Sequence, residues 1–371
     1  MRVDDAKWVD FITLEKFMKD VFVALGVPEN DAEICADVLI TADKRGIDSH
    51  GIARMKTIYY DRIKAGIQNP VTRVEVVREG PTTAVVDGHN GMGMVVAKTC
   101  MDMAIEKAKI WGLGMVAARD SNHYGIAGYY VMMATEQGMI GITGSNARPS
   151  VAPTFGVENM LGTNPFTFGI PTDEEFPFVL DCATSLTQRG KIEVYAREGK
   201  RVPAGWVIDE NGESSTDPER ILKDLLLGKA ALAPLGGVGE ENAGYKGYGY
   251  ATVVEILSAA LQEGKYLKSL KGMSPEGRPQ PYGLGHFFLA INVEAFLPLS
   301  RFRAITGDIL RQLRASRKAP GQERIYTAGE KEYLAWLERK DKGVPVNKSV
   351  QTEIIAMRDE LGLYRYRFPF E

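Results

Sequence analysis

The feature that most constrains this chain is a change of hydrophobic period partway along it, reversed near the C-terminus. Through the first eighty residues apolar side chains recur at helical spacing. Phe17, Val21 and Leu25 fall four apart, and Gly26 with Pro28 closes that helix. A second pattern carries Ile34, Cys35, Val38, Leu39 and Ala42 and stops at Lys44-Arg45-Gly46, and a third runs over 51–65 and ends at Gly66. From Thr72 the texture changes to short β-rich runs separated by helices. Strands are expected at 74–77, 83–86, 115–118, 139–143, 178–181 and 287–293. Helices are expected between them at 95–109, 129–137, 219–227 and 249–262. After Arg303 the helical period returns, at 304–317, 329–341 and 348–361. This pattern predicts a mixed α/β (α+β) middle, 81–302, bracketed by helical segments 1–80 and 303–371. Ends of like texture can pack together as one discontinuous helical domain. The sequence shows no internal repeat and no low-complexity linker.

Composition narrows the function classes. The 371 residues carry 45 Lys+Arg against 48 Asp+Glu, so the broad positive excess that nucleic-acid binding needs is missing. No apolar run approaches the roughly 18 residues that span a bilayer, so no membrane partner is expected. The start, Met1 to Asp5, has no apolar run of the signal-peptide kind, and a cytoplasmic location is the expectation. Cys35 and Cys100 fall within apolar helical patterns and read as core thiols. Cys182 stands apart, and no CxxC pair is present.

Four histidines are the scarce chemical groups: His50, His89, His123 and His286. His50 stands in Asp48-Ser49-His50-Gly51-Ile52-Ala53-Arg54. If the third helix begins there, His50 and Arg54 share a face. That pairing sets a proton-transfer group beside a fork able to hold a carboxylate with two hydrogen bonds, which is what a 2-oxo acid requires. The plainer alternative has Asp48 or Ser49 capping the helix, with His50 and Arg54 solvated. Adjacency of Ser49 and His50 does not by itself make them partners. His123, in Asn122-His123-Tyr124-Gly125, follows a predicted strand, where α/β proteins often place reactive groups. His89 reads as a turn residue and His286 as a satisfied imidazole at the start of a strand.

Other chemistries find little support. Gly88-His89-Asn90-Gly91-Met92-Gly93 lies between a strand and a helix, yet its glycines do not fall in the dinucleotide order GxGxxG. No acidic residue closes a second strand about twenty positions on. A Rossmann site is therefore rejected. No HxxxH, HExxH or Cys/His cluster points to a metal, and no GxSxG elbow to a hydrolase. Several small-residue segments in the middle could let a long ligand approach backbone, among them 145–149, 161–165, 181–185 and 244–249. The last joins glycines to Lys246, a combination suited to a pyrophosphate.

Taken in order, DSHGIAR (48–54), NHYG (122–125), SNARPSVAP (145–153), LGTNPFTFGIP (161–171), LDCATS (180–185), YKGYG (245–249), GHFFLAI (285–291) and AGEKE (328–332) resemble the type-2 malate/L-lactate dehydrogenase family. The matches span nearly the whole chain. The resemblance implies a homodimer with a non-Rossmann mixed-sheet NAD(P) domain and a helical domain built from both ends. It implies hydride transfer between NAD or NADP and a small 2-oxo or 2-hydroxy acid, malate first, with lactate, sulfolactate or ureidoglycolate as alternatives. It also implies His50 or His123 as the acid/base group, Arg54 as the carboxylate clamp, and Ser49 and Asp181 as orienting partners. Asp181, Cys182, Ala183, Lys246, Gly329 and Glu330 fall in segments that contact the cofactor. After the arginine, the family's usual proline and aromatic are offset by one, so Tyr59 or Tyr60 takes the aromatic's role. The rival classes are a non-catalytic nucleotide sensor and a plain carboxylate-binding module.

Overall fold

A computed structural model describes residues 6–371. In chain order the elements are β1 (Lys7–Val9), α1 (Phe11–Ala24), α2 (Glu29–Lys44), α3 (Ile52–Arg54), a π-helical segment (Met55–Tyr60) and α4 (Asp61–Lys64). The middle follows with β2 (Glu75–Glu79), β3 (Thr83–Asp87), α5 (Gly93–Trp111), β4 (Leu113–Ser121), α6 (Ala127–Glu136), β5 (Met139–Ser145), β6 (Phe166–Ile170) and β7 (Phe178–Cys182). Then come α7 (Arg189–Arg197), β8 (Val207–Asp209), α8 (Pro218–Leu227), β9 (Ala230–Leu232), α9 (Gly244–Leu257), β10 (Leu284–Asn292), α10 (Leu299–Ala315), α11 (Glu330–Arg339), β11 (Val344–Val346) and α12 (Lys348–Glu360).

Seven strands form one mixed sheet in the order β2-β3-β4-β10-β5-β6-β7. Among the described residues its single parallel pair is β3 with β4, Thr83 opposite Met115, and every other neighbour runs antiparallel. A Rossmann sheet is mainly parallel, so the topology agrees with the failed fingerprint. β10, long and buried, joins β4 to β5 and carries His286 at the centre of the sheet. Helices α5 and α6 cover the sheet. Val96, Cys100, Met101 and Ala104 of α5 and Tyr130 of α6 pack on Val86, Val116, Ala118 and Phe288.

A second core joins the two ends of the chain. Phe17, Phe22, Leu39 and Tyr59 pack with Ile354, Met357 and Phe368, and β1 pairs with β11. Such burial drives the ends together at about 25 cal/mol per Å² of apolar surface. α10 contributes nothing to that core. It lies over the β6–β7 turn, where Arg311 holds Asp173 at 2.9 Å and Arg314 reaches Glu174. A third small core, with Val151, Ile192, Val207, Ile221 and Leu232, supports α7, α8 and the β8–β9 pair.

The third helical pattern is not one helix. It opens at Ile52, two residues after His50, so His50 precedes the helix instead of starting it. Neither Asp48 nor Ser49 caps it: the Ile52 N–H donates to Asp43 Oδ2, 2.9 Å away on α2. The π-helical segment then takes more residues per turn than an α-helix. Arg54, Ile58 and Arg62, four apart, thereby keep to one face, and all three line one pocket.

Candidate active site

The loop from Arg45 to Gly51 brings Ser49, His50 and Arg54 together. Ser49 Oγ and His50 Nδ1 lie 2.9 Å apart in a hydrogen bond, so these sequence neighbours do face each other. Arg54 Nε donates to the Ser49 carbonyl at 2.6 Å, which leaves its terminal nitrogens free. Gly51 is required here: a Cβ would stand 2.0 Å from Asp43 Oδ1.

His123 reaches the same place from the end of β4. The Gly88–Gly93 segment supports its loop. Asn122 Nδ2 donates to the carbonyls of Asn90 and Gly91, and a Cβ on Gly93 would lie 2.2 Å from the Asn122 carbonyl. The first turn of α5 is thus covered by protein. The Gly125 N–H donates to His123 Nδ1 at 3.2 Å, and the Tyr59 hydroxyl lies 2.7 Å from the same nitrogen. A backbone N–H can only donate, so Nδ1 is an acceptor and the neutral ring carries its proton on Nε2. The two imidazoles stack with centroids 5.8 Å apart.

The histidine pair stands between two clefts. The larger, 610 Å³, is lined by His50, Tyr124, Asp181, Cys182, Ala183 and Gly329, with Arg45 and Glu332 among the charged groups. The smaller, 280 Å³, is lined by His123, Arg54, Arg62, Arg148 and Arg189. Thr163 and Gln188 line both, so the clefts adjoin. Among the described residues no carboxylate lines the smaller cleft. Arg189 is held by Glu193 at 3.0 Å. Arg62 stacks on the Tyr282 ring at 4.2 Å, and neither it, Arg54 nor Arg148 has an ion-pair partner among the described residues. Three guanidinium groups without an ion pair around one small space favour an anion with more than one charge.

The same charges act on the histidines. Burial, then Arg54, pushes His50 down to about 4. Burial, His50, Arg62 and Arg54 hold His123 well below the usual imidazole range. Both rings are neutral near pH 7 in the free protein. Burial raises the Asp181 carboxyl, against the opposing hydrogen bonds from Gly128 N–H at 2.7 Å and the Thr167 hydroxyl at 3.1 Å.

Most of the residues expected from sequence converge: Ser49, His50, Asp181, Cys182, Ala183 and Gly329 on the larger cleft, and Arg54 and His123 on the smaller. Tyr59 has no exposed surface and reaches the site only through His123, so it does not touch a substrate. Tyr60 turns away to Glu360. The Glu330 side chain is buried among Thr327, Arg314 and Arg324, and it is Lys331 and Glu332 that face the cleft. Lys246 is exposed on the first turn of α9, outside both clefts. Sequence reasoning missed Arg62, Gln188, Arg189 and Arg45 and did not single out Arg148. The repeated spacing of four in Arg54-Ile58-Arg62 was the available signal. His89 takes a positive φ in its turn, and His286 is fully buried between the hydroxyls of Ser145 and Ser121, both 2.9 Å away.

With this geometry established, residues 9–355 match the malate/L-lactate dehydrogenase family model. The chain belongs to that family. It is 45% identical to a malate dehydrogenase of Pyrococcus horikoshii, over 94% of each chain. An L-sulfolactate dehydrogenase of Methanocaldococcus jannaschii is 39% identical, over 94% of this chain and 96% of that one. Among solved structures, malate dehydrogenase from Entamoeba histolytica superposes with a TM-score of 0.93 at 44% identity, covering 98% of this chain and 99% of that chain. As a member of this family the protein is a hydroxy-acid dehydrogenase with a mixed, non-Rossmann sheet.

Proposed function

We propose that the protein transfers hydride between NAD(P)H and a dianionic 2-oxo acid, with L-malate and oxaloacetate as its substrate pair. The observation that carries this reading is the trio of unpaired arginines, Arg54, Arg62 and Arg148, around a 280 Å³ cleft. Lactate has one anionic group to offer them and malate has two. Sulfolactate also has two, and the 39% identical relative named for it keeps it as the alternative within this class. A monoanionic substrate such as lactate or ureidoglycolate would leave at least one of these cations without a partner.

The larger cleft fits a nicotinamide nucleotide. Its 610 Å³ lies in the range of cofactor clefts, it abuts the histidine pair, and the backbone at Ala183 and Gly329 lies along it. When bound, the nicotinamide supplies or takes the hydride. The remaining chemistry belongs to the side chains. Arg54 grips the carboxylate next to the reacting carbon in a bidentate fashion, and Arg62 and Arg148 hold the second anionic group. His123 Nε2, the ring nitrogen with no hydrogen-bond partner among the described residues, moves the proton at the substrate oxygen. The Tyr59 hydroxyl can donate to or accept from Nδ1, so it follows the ring through both protonation states. His50, oriented by Ser49, closes the site from the cofactor side.

Two further readings accompany this one. α9 exposes Tyr250, Val253 and Ile256, three apart in sequence, an apolar stripe that suits burial in a homodimer. No helix among the described residues is long and apolar enough to cross a membrane, and we place the enzyme in the cytoplasm. The deciding experiment is oxidation of NADH and of NADPH with oxaloacetate, sulfopyruvate, pyruvate and oxalurate. The proposal expects oxaloacetate to be turned over most efficiently. Absence of turnover with every one of them would leave a nucleotide-binding sensor as the better account.

A further inference from the structure

The loop that carries Ser49, His50 and Arg54 is tied to a helix nearly 300 positions away in sequence. Arg339, in the last turn of α11, grips Asp48 with both terminal nitrogens, Nη1 to Oδ1 at 2.5 Å and Nη2 to Oδ2 at 3.0 Å. The same Nη1 donates to the Asp43 carbonyl at 2.7 Å. One guanidinium therefore fixes both the end of α2 and the residue that precedes Ser49. Bidentate pairs of this kind set orientation as well as energy. α11 also packs directly on the loop. Gly46 has φ +74, and a Cβ there would meet the Ala335 methyl at 2.8 Å.

The other end of α11 faces the cofactor cleft through Lys331 and Glu332, with Gly329 just before it. A ten-residue helix thus spans the distance from the cleft to the catalytic loop. On the loop side Asp43 completes the brace by capping Ile52, with the Gly51 backbone set against its carboxyl.

We infer that Arg339 is a positioning residue: through Asp48 and the Asp43 carbonyl it holds the Ser49–Arg54 loop in register with the cofactor cleft. The inference rests on reading Ser49, His50 and Arg54 as site residues. It adds that their geometry is set from α11, by a residue that touches neither substrate nor cofactor. Displacements of about 1 Å in a reacting group are enough to cost roughly 100-fold in rate, so loss of the brace has a large kinetic signature.

The test measures kcat and KM for oxaloacetate, the Kd of reduced cofactor by fluorescence, and Tm, for wild type, Arg339→Met, Arg339→Lys, Asp48→Asn and the double variant Asp48→Asn/Arg339→Met. Expected for Arg339→Met is a kcat lowered roughly 10- to 100-fold, with cofactor Kd changed less than about threefold. Arg339→Lys, which keeps a cation against Asp48, should recover much of the loss. Because the pair acts as a unit, the double variant should be no worse than the worse single one. The inference is overturned if Arg339→Met keeps kcat within about twofold of wild type, or if Lys and Met lose equally. If Arg339→Met does not fold, Asp48→Asn decides by the same kcat criterion. His50→Ala in the same assay separates the two levels. Unchanged kcat there would sink the site assignment itself, whereas a null result confined to Arg339 and Asp48 sinks only the brace.

Discussion

The Tyr59 hydroxyl lies 2.7 Å from Nδ1 of His123, on a tyrosine with no exposed surface. Burial holds its phenol far above the usual tyrosine range, so it stays protonated and its O–H can turn to suit either state of His123. Tyr59→Phe keeps the ring that packs at 6.0 Å from Phe22 and removes only the oxygen. The expected outcome is a kcat lowered about 10-fold with little change in KM, and a stability loss near 1 kcal/mol. Steady-state kinetics with a urea titration would check both, and a purely raised KM would place Tyr59 outside the proton path.

The two histidines carry unequal loads in this account. His123→Ala should lower kcat for oxaloacetate reduction by about 10²–10⁴-fold, the usual worth of a positioned proton-transfer group. His50→Ala should cost less, through loss of the ring that stacks on His123. The reverse order would move the proton to the Ser49–His50 pair.

The pH dependence follows from the charges. Both imidazoles lie below their ordinary value in the free protein, His50 at about 4, so neither is protonated at neutral pH. Reduction of a 2-oxo acid consumes a proton. Binding a dianion neutralises Arg54 and Arg62, which help hold His123 down. That binding should therefore draw a proton from solution. kcat/KM for oxaloacetate, which reports the free protein, should fall as pH rises from 6 to 8, approaching about tenfold per unit, while kcat falls less steeply. A kcat/KM independent of pH over that range would show that the donor is already charged before binding.

Gly51 gives a stability test. A methyl there would stand 2.0 Å from the buried Asp43 Oδ1, so Gly51→Ala must displace either the α2 end or the catalytic loop. Overpacking of this kind costs about 1–3 kcal/mol. Denaturant midpoint and kcat should fall together, and a variant with unchanged midpoint and rate would mean that the loop has slack.

How much of this was legible in the sequence depended on the range of the interaction. Helices such as α1, α2 and α5 and strands β3, β4 and β5 were readable because their periods are long and uninterrupted. β6, β8, β9 and the β1–β11 pair escaped notice because short strands owe their existence to distant partners. β1 pairs Lys7 with Val346, a register that no local pattern encodes. The break at Ile52 was hidden for the same reason, since its cap is Asp43 on another helix. Within the site, Ser49, His50, Arg54 and His123 stood out by residue type and setting. Arg62 and Arg189 were not singled out, and only the fold shows that Arg62 has no ion-pair partner among the described residues. Glu330 misled in the opposite direction, because its neighbour Glu332 faces the cleft while it pairs with Arg314 and Arg324.

The central claim is that unpaired arginines select a dianion, and Arg148 is its most exposed member, with no ion-pair or hydrogen-bond partner among the described residues to disturb. The most direct measurement is kcat/KM for oxaloacetate and for pyruvate, in wild type and in Arg148→Met. The account predicts that wild type prefers oxaloacetate by roughly 100-fold or more, and that Arg148→Met removes about 10- to 100-fold of that preference while leaving pyruvate nearly unchanged. Equal use of the two acids by wild type, or the same proportional loss on both in the variant, would contradict it.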